Sequence, residues 1–280
     1  MVALDGLEVT AGRPALLEVA PVGIAEETDP SPLLLAEKVQ KVYRTGRVVV
    51  HALIDLDLRV DAGEMVAVMG PSGCGKTTLL NCLSGLDSID GGRVLIDGTD
   101  LFAMSDVERT SHRAANMGFV FQAFNLVPVF TAAENVELPL LLTGVAQQQA
   151  RERAVEMLDR VGLKDRAEHR PGEMSGGEQQ RVTIARALVA KPAIVWADEP
   201  TGALDTHMAQ QVMDLLCRLN REERQTIVLV SHDPAVGERA SRLVRMRDGR
   251  LESDGREVLT GVDGRGLRPD EQRPGAARAG

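Results

Sequence analysis

The strongest chemical signal in the chain is Gly70-Pro71-Ser72-Gly73-Cys74-Gly75-Lys76-Thr77-Thr78. It fits G-x-x-x-x-G-K-[ST] at every position. Glycines at this spacing let a backbone wrap around phosphate oxygens with its N–H groups turned inward. Lys76 is expected to reach the β- and γ-phosphates, and the Thr77 hydroxyl to ligate Mg²⁺. A second group is Asp198-Glu199, two carboxylates at the end of the apolar run Ile194-Val195-Trp196-Ala197. Asp198 suits the Mg²⁺ shell, and Glu199 suits polarising a water aimed at the γ-phosphate. The third group is Met174-Ser175-Gly176-Gly177-Glu178. Its glycines would bring N–H groups to a helix start, a second phosphate site. Ser175-x-x-Glu178 is also a capping-box pattern, so these residues could simply begin a helix. Two glycines are a poor choice for a cap alone, which favours the phosphate reading. Together the groups describe a chain that binds a nucleoside triphosphate.

Elements of the right kind flank each group. Met65–Met69 reads as a buried parallel strand, and an apolar-patterned helix runs from Thr77 to about Leu86. Strands are expected at 194–197 and 226–230, both ending in polar residues where ligands of open α/β sheets bind. Trp196, the single tryptophan, reads as core packing. A helix should run from Ser175 to Ala190, ahead of Lys191-Pro192. Residues 147–161 put Ala150, Ala154, Met157, Leu158 and Val161 on one helical face, with Gly162 as C-cap. Val94-Leu95-Ile96 closes on Asp97-Gly98, and Asp248-Gly249 marks a hairpin between 243–246 and 250–251.

Composition narrows the class. The 280 residues are 44% apolar and 26% charged, enough for one large core with an inserted subdomain. Aromatics are 2%, so aliphatic side chains must fill that core. A net charge of −9 argues against nucleic acid as the main ligand. No run of 18 apolar residues occurs, and the N-terminus lacks a basic-then-apolar signal pattern. Residues 1–32 are acidic and Pro-containing and read as a mobile extension. Residues 254–280, rich in Gly, Arg and Pro, read as a disordered tail. Three cysteines without a framework spacing fit a reducing compartment. Cys74 lies next to helix N–H groups and Lys76, so it is expected to favour thiolate and react ahead of Cys82 and Cys217. A small filler residue is the alternative.

The phosphate loop, the Ser-Gly-Gly motif, the Asp-Glu pair and a following His232 together resemble an ATP-binding-cassette ATPase over residues 33–253. The resemblance implies an α/β fold of that P-loop NTPase class. It has a mixed β core with a RecA-like lobe, an antiparallel β subdomain and an α-helical subdomain inserted at about 123–190. It also implies roles residue by residue. Tyr43 resembles the aromatic that stacks on adenine. Gln122 resembles the glutamine that contacts Mg²⁺ and senses a membrane partner, and Asp205, in Gly202-Ala203-Leu204-Asp205, belongs to a loop coupling two sites. His232 resembles the switch histidine that hydrogen-bonds the γ-phosphate. Ser175, Gly176 and Gly177 would complete the site of a second chain, so two chains close on two ATP molecules. Glu178 stands where the family usually has glutamine. Its charge is tolerable if the carboxylate turns back into the capping box.

Gly85-Leu86-Asp87, residues 122–144 and Ala197–Gly202 further resemble the macrolide-export and lipoprotein-release subfamily. That implies an ATPase at the cytoplasmic face of a membrane, driving a separate permease that exports or extracts an apolar or lipidated substrate. Three other readings stay open: an ATPase powering a permease that regulates cell-wall hydrolases without transport, an amino-acid importer subunit, and a soluble non-transport ATPase. Leu126, Val127, Val129 and Phe130, following Gln122, are expected to form an apolar docking surface for a permease helix.

Overall fold

The computed structural model describes residues 31–255. The expectations for residues 1–30 and 256–280 lie outside the described residues. Two sheets organise the chain. The first is antiparallel, with spatial order β2 (Val48–Val60), β1 (Leu34–Thr45), β4 (Gly91–Ile96) and β5 (Thr99–Asp100). The second runs β10 (Arg250–Asp254), β9 (Arg242–Arg247), β3 (Met65–Met69), β8 (Thr226–Ser231), β7 (Ile194–Asp198) and β6 (Met117–Phe121). All its pairings are parallel except the β9–β10 hairpin.

β3 explains why an unbroken apolar run became a strand. Met65, Ala67 and Met69 enter one aliphatic core, and Val66 and Val68 enter the other, so both faces are covered. One core lies between the two sheets, around α1 (Lys76–Leu83) and the fully buried Trp196. The other joins the opposite face of the parallel sheet to α3 (Ala132–Leu142), α4 (Gln147–Arg160), α5 (Gly176–Leu188) and α6 (Thr206–Glu223). α2 (Asp106–Asn116) leads into edge strand β6, and the short α7 (Pro234–Gly237) follows β8.

Two helices stop earlier than their patterns suggest. α1 ends at Leu83 because Gly85 turns left-handed (φ 68°) and the Leu86 N–H reaches back 2.9 Å to the Asn81 carbonyl. α5 ends at Leu188, since Lys191 is also left-handed (φ 55°) ahead of Pro192. Helices α2 and α3 each start on a reciprocal capping box, Ser105 with Glu108 and Thr131 with Glu134.

Candidate functional site

The loop between β3 and α1 is shaped by two close approaches. A Cβ at Gly70 would lie 2.2 Å from the Met246 carbonyl oxygen on β9. At Gly75, where φ is 105°, it would lie 2.6 Å from the Ala52 carbonyl oxygen on β2. Only glycine fits, so the loop is held against both sheets while Ser72, Gly73 and Thr77 stay exposed. Lys76 Nζ donates to the carbonyls of Gly70 (2.9 Å) and Pro71 (3.1 Å), which sets the ammonium over the loop. Thr78, the next residue of α1, is half-buried.

Cys74 is corrected here. Its side chain is 5% exposed and belongs to the core with Val68 and Leu79. It fills space beneath the loop, and the expectation of a readily reacting thiol fails on access. Cys82 and Cys217 are buried as well.

The second group arrives on the ends of β7 and β8. Thr77 Oγ1 donates to Asp198 Oδ1 at 3.0 Å, joining the two expected Mg²⁺ ligands across the loop. Burial pushes the Asp198 carboxyl above the usual carboxylate range; Glu199 adds to this, while Thr77 and Lys76 oppose it. Among the described residues, no cluster of three or more His, Cys, Asp or Glu is placed to hold a metal alone. One hydroxyl and one carboxylate fit Mg²⁺, which keeps waters and takes oxygens from a bound triphosphate.

Glu199 is set apart from Asp198 by its backbone. It adopts φ 46°, and its N–H bonds the Val230 carbonyl at 3.0 Å. A left-handed non-glycine residue at a strand end is a strained conformation of the kind found at active sites. The turn brings Glu199 Oε2 to Ser231 Oγ (3.2 Å) and Oε1 to His232 Nδ1 (2.9 Å). A carboxylate only accepts, so Nδ1 is the donor in this contact.

Gln122 lies against Gly202; a Cβ there would meet Gln122 Nε2 at 2.9 Å. Tyr43, on β1, is 40% exposed, and its hydroxyl donates to Asp87 at 2.7 Å. Ser175, Gly176 and Gly177 do not join this group. They start α5 against Leu204, Phe124 and Met208, and the Gly177 N–H points to Met208 Sδ at 3.2 Å. Glu178 does turn back: it accepts from the Ser175 N–H (2.8 Å) and from Arg166 Nε (3.2 Å). These bonds, the Ser175 backbone first, hold its carboxyl below the usual range although some burial opposes them. Asp205 caps α6, accepting from the Met208 N–H at 2.9 Å.

Sequence reasoning missed residues that tie the parts together. Gln180, fully buried on α5, donates to the Pro200 carbonyl at 2.6 Å and so links the Ser-Gly-Gly helix to the residue after Glu199. Its signal was a polar residue on the apolar face that carries Ile184 and Leu188. Arg186 reaches the carbonyls of Asn125 (2.6 Å) and Phe124 (2.9 Å), in the loop after Gln122. That loop does not form the expected four-residue patch. Leu126 packs on the helical core, Val127 is half-buried and bonded through its backbone to Asn135, and only Val129 is largely exposed. A hollow of about 380 Å³ lies beside the loop instead, lined by Phe119, Phe121, Asn125, Pro139, Leu142 and Ala187.

Comparison with known proteins shows the family and the fold. The ABC transporter family model matches residues 53–202. The lipoprotein-releasing system ATP-binding protein LolD of Bordetella pertussis is 46% identical over 231 residues, which is 82% of this chain and 100% of that protein. The macrolide export ATP-binding/permease protein MacB of Brucella melitensis is 45% identical over 80% of this chain, but over 34% of its own length. The dimeric structure of MJ0796, a bacterial ABC transporter cassette, superposes with a TM-score of 0.73 at 42% identity, covering 79% of this chain and 97% of that one. A post-hydrolysis state of MJ0796 with ADP and Pi superposes with the same score. The curated MJ0796 sequence, from Methanocaldococcus jannaschii, is 43% identical over 83% of this chain. With a family match across the phosphate loop and the Asp-Glu strand, and relatives aligned end to end, this chain belongs to the ABC transporter family as an ATP-binding, ATP-hydrolysing cassette.

Proposed function

We propose that this cassette is the ATPase subunit of a transporter of the lipoprotein-release and macrolide-export group. In this reading it drives a separate permease chain that exports or extracts an apolar or lipidated substrate. The observation that carries the proposal is the end-to-end alignment with a lipoprotein-releasing ATP-binding protein, compared with the one-third coverage of the fused ATP-binding/permease relative. Among the described residues, no helix is long and apolar enough to cross a membrane. The subunit would therefore reach the cytoplasmic face of the membrane through its permease.

The chemistry divides among the residues already placed. The loop N–H groups at 70–75, Lys76 and Thr78 hold the phosphates. Thr77 and Asp198 would hold Mg²⁺, with Gln122 as a further candidate ligand; the ion would supply charge neutralisation on the phosphate oxygens. Glu199 orients the attacking water and accepts its proton, and His232 contacts the γ-phosphate. Tyr43 stacks on adenine. In this reading Ser175, Gly176 and Gly177 serve the site of a second copy, exposed Ser175 first, since Gly177 is buried against Met208, and Asp205 lies in the loop between the two sites. The reading is a homodimer with two shared sites, and the dimeric structure of the MJ0796 cassette supports the dimer. The permease helix enters the hollow lined by Phe119, Phe121 and Leu142, next to Gln122.

Purification from membranes with mass spectrometry of the bound permease tests the reading. A permease resembling the lipoprotein-release or macrolide-export type, and ATPase activity stimulated by it, is expected. An amino-acid importer permease, or no membrane partner at all, would refute it. Leu142→Asp should abolish the stimulation while ATP still binds.

A further inference from the structure

The nucleobase end of the site holds a charge arrangement that phosphate chemistry does not require. Lys41 is 6% exposed, yet it stays charged: burial acts against its ammonium, and Asp87 more than offsets this. Its Nζ donates to Asp87 Oδ1 (2.7 Å), to the Ser88 carbonyl (2.7 Å) and to Ser88 Oγ (3.1 Å). The other carboxylate oxygen of Asp87 accepts from the Tyr43 hydroxyl at 2.7 Å, and the Thr78 side chain also meets that hydroxyl. Burial works to raise the Asp87 carboxyl, but the bonds from Lys41, Tyr43 and the Ser88 N–H outweigh it and hold it below the usual range. Asp87 is therefore an ionised acceptor locked between an ammonium and a phenol. Lys41 and Tyr43 stand two apart on β1, and the ammonium sits 5.1 Å from the ring centroid.

We propose that Asp87, fixed by buried Lys41, is a positioning residue that tethers Tyr43 by its hydroxyl and so presets the ring on which the nucleobase stacks. The proposal rests on the reading of Tyr43 as the adenine platform. An exposed tyrosine loses rotamer freedom when a flat ligand stacks on it; a tether removes that freedom before binding. The tether also fixes a spacing. The Asp87 N–H bonds the Asn81 carbonyl at 3.1 Å near the end of α1, the helix whose start holds Lys76 and Thr77. The base platform and the phosphate loop are thus linked through one helix. Val50, opposite Tyr43 on β2 and 50% exposed, extends the apolar surface of the platform.

The test uses the full chain and two probes, ATP and inorganic tripolyphosphate, with binding measured by calorimetry beside KM and kcat. Tyr43→Phe keeps the ring and removes the tether; Asp87→Asn weakens it from the other side. Each should raise the ATP Kd about three- to tenfold, with tripolyphosphate affinity unchanged in Asp87→Asn and changed less than ATP affinity in Tyr43→Phe, which also loses the Thr78 contact. The change should fall in KM rather than in kcat. The double variant should be no worse than the weaker-binding single, because the Tyr43–Asp87 bond is the interaction that both changes affect. Parent-like ATP binding by both singles, with Tyr43→Ala weaker by about tenfold or more, would overturn the tether and leave stacking intact. Parent-like ATP binding by Tyr43→Ala would remove the stacking reading and the tether with it. An equal loss of tripolyphosphate affinity in Asp87→Asn would assign Asp87 to the fold of α1 and also overturn the proposal.

Discussion

His232 Nδ1 lies 2.9 Å from Glu199 Oε1, and this contact joins the ends of β7 and β8 beside the proposed general base. The imidazole holds one carboxylate oxygen and Ser231 holds the other, so Glu199 is oriented before nucleotide binds. An orientation set in advance needs no reorganisation during reaction.

Glu199→Gln keeps this shape and removes the base. Turnover is expected to fall by roughly 10²-fold or more, while ATP still binds. The variant should then accumulate as an ATP-bound dimer on size-exclusion chromatography. Turnover close to the parent's would exclude Glu199 as the base.

Asp198 gives a pH dependence. Its carboxyl is raised in the folded chain, mainly by burial, so the folded state binds the proton more tightly than the unfolded one. Stability therefore falls as pH rises from the ordinary aspartate range through the raised value, and stays reduced above it. Asp198→Asn keeps the acceptor for Thr77 and lacks the charge. Without nucleotide, its Tm should exceed the parent's at about pH 7.5, with the gap closing toward about pH 4. Its ATP hydrolysis should be lost. An unchanged gap across that range would show that the charge is not the cause.

Arg186 holds two consecutive left-handed residues, Phe124 (φ 58°) and Asn125 (φ 51°), by their carbonyls. Burial lowers its guanidinium below the usual range, and its bonds run to carbonyls. Arg186→Met removes two charge-assisted bonds and also relieves a buried charge. A net loss of roughly 1–3 kcal/mol in urea denaturation is expected. Faster proteolysis should appear between residues 122 and 130, and a variant as stable as the parent would mean the loop holds itself.

The cysteines test the packing under the phosphate loop. Burial, with Asp87 adding to it and Lys41 opposing, pushes the Cys82 thiol up to about 12. All three thiols are buried, so maleimide at about pH 7.5 should label the folded chain slowly, Cys82 least. Guanidinium should release all three. Rapid labelling of Cys74 in the folded chain would show that the loop opens.

The contiguous motifs could be read directly because their geometry is local. A glycine loop between an apolar strand and a helix, or a strand ending in Asp198-Glu199, is dictated by chain neighbours, and the capping of Ser175 by Glu178 spans three residues. The hairpin at Asp248-Gly249 and the helix over 147–160 were legible for the same reason. α6, from Thr206 to Glu223, and the early end of α1 were less so, since a cap at Asp205 and a left-handed Gly85 are weak signals in polar sequence. Distant pairings were not legible at all. Thr77 meets Asp198 across 121 positions, and Tyr43 meets Asp87 across 44. Gln180 finds Pro200 only because α5 packs on the parallel sheet, against β6. The sequence alone determined which motifs the chain carries and that it is a nucleotide-binding cassette, because residue type and local backbone decide those. Only the tertiary structure decided that Cys74 fills a core, that Leu126 turns inward beside an apolar hollow, and that Lys41 keeps its charge. Burial and partner distance depend on how the two sheets and the helices pack, which no short stretch of chain encodes.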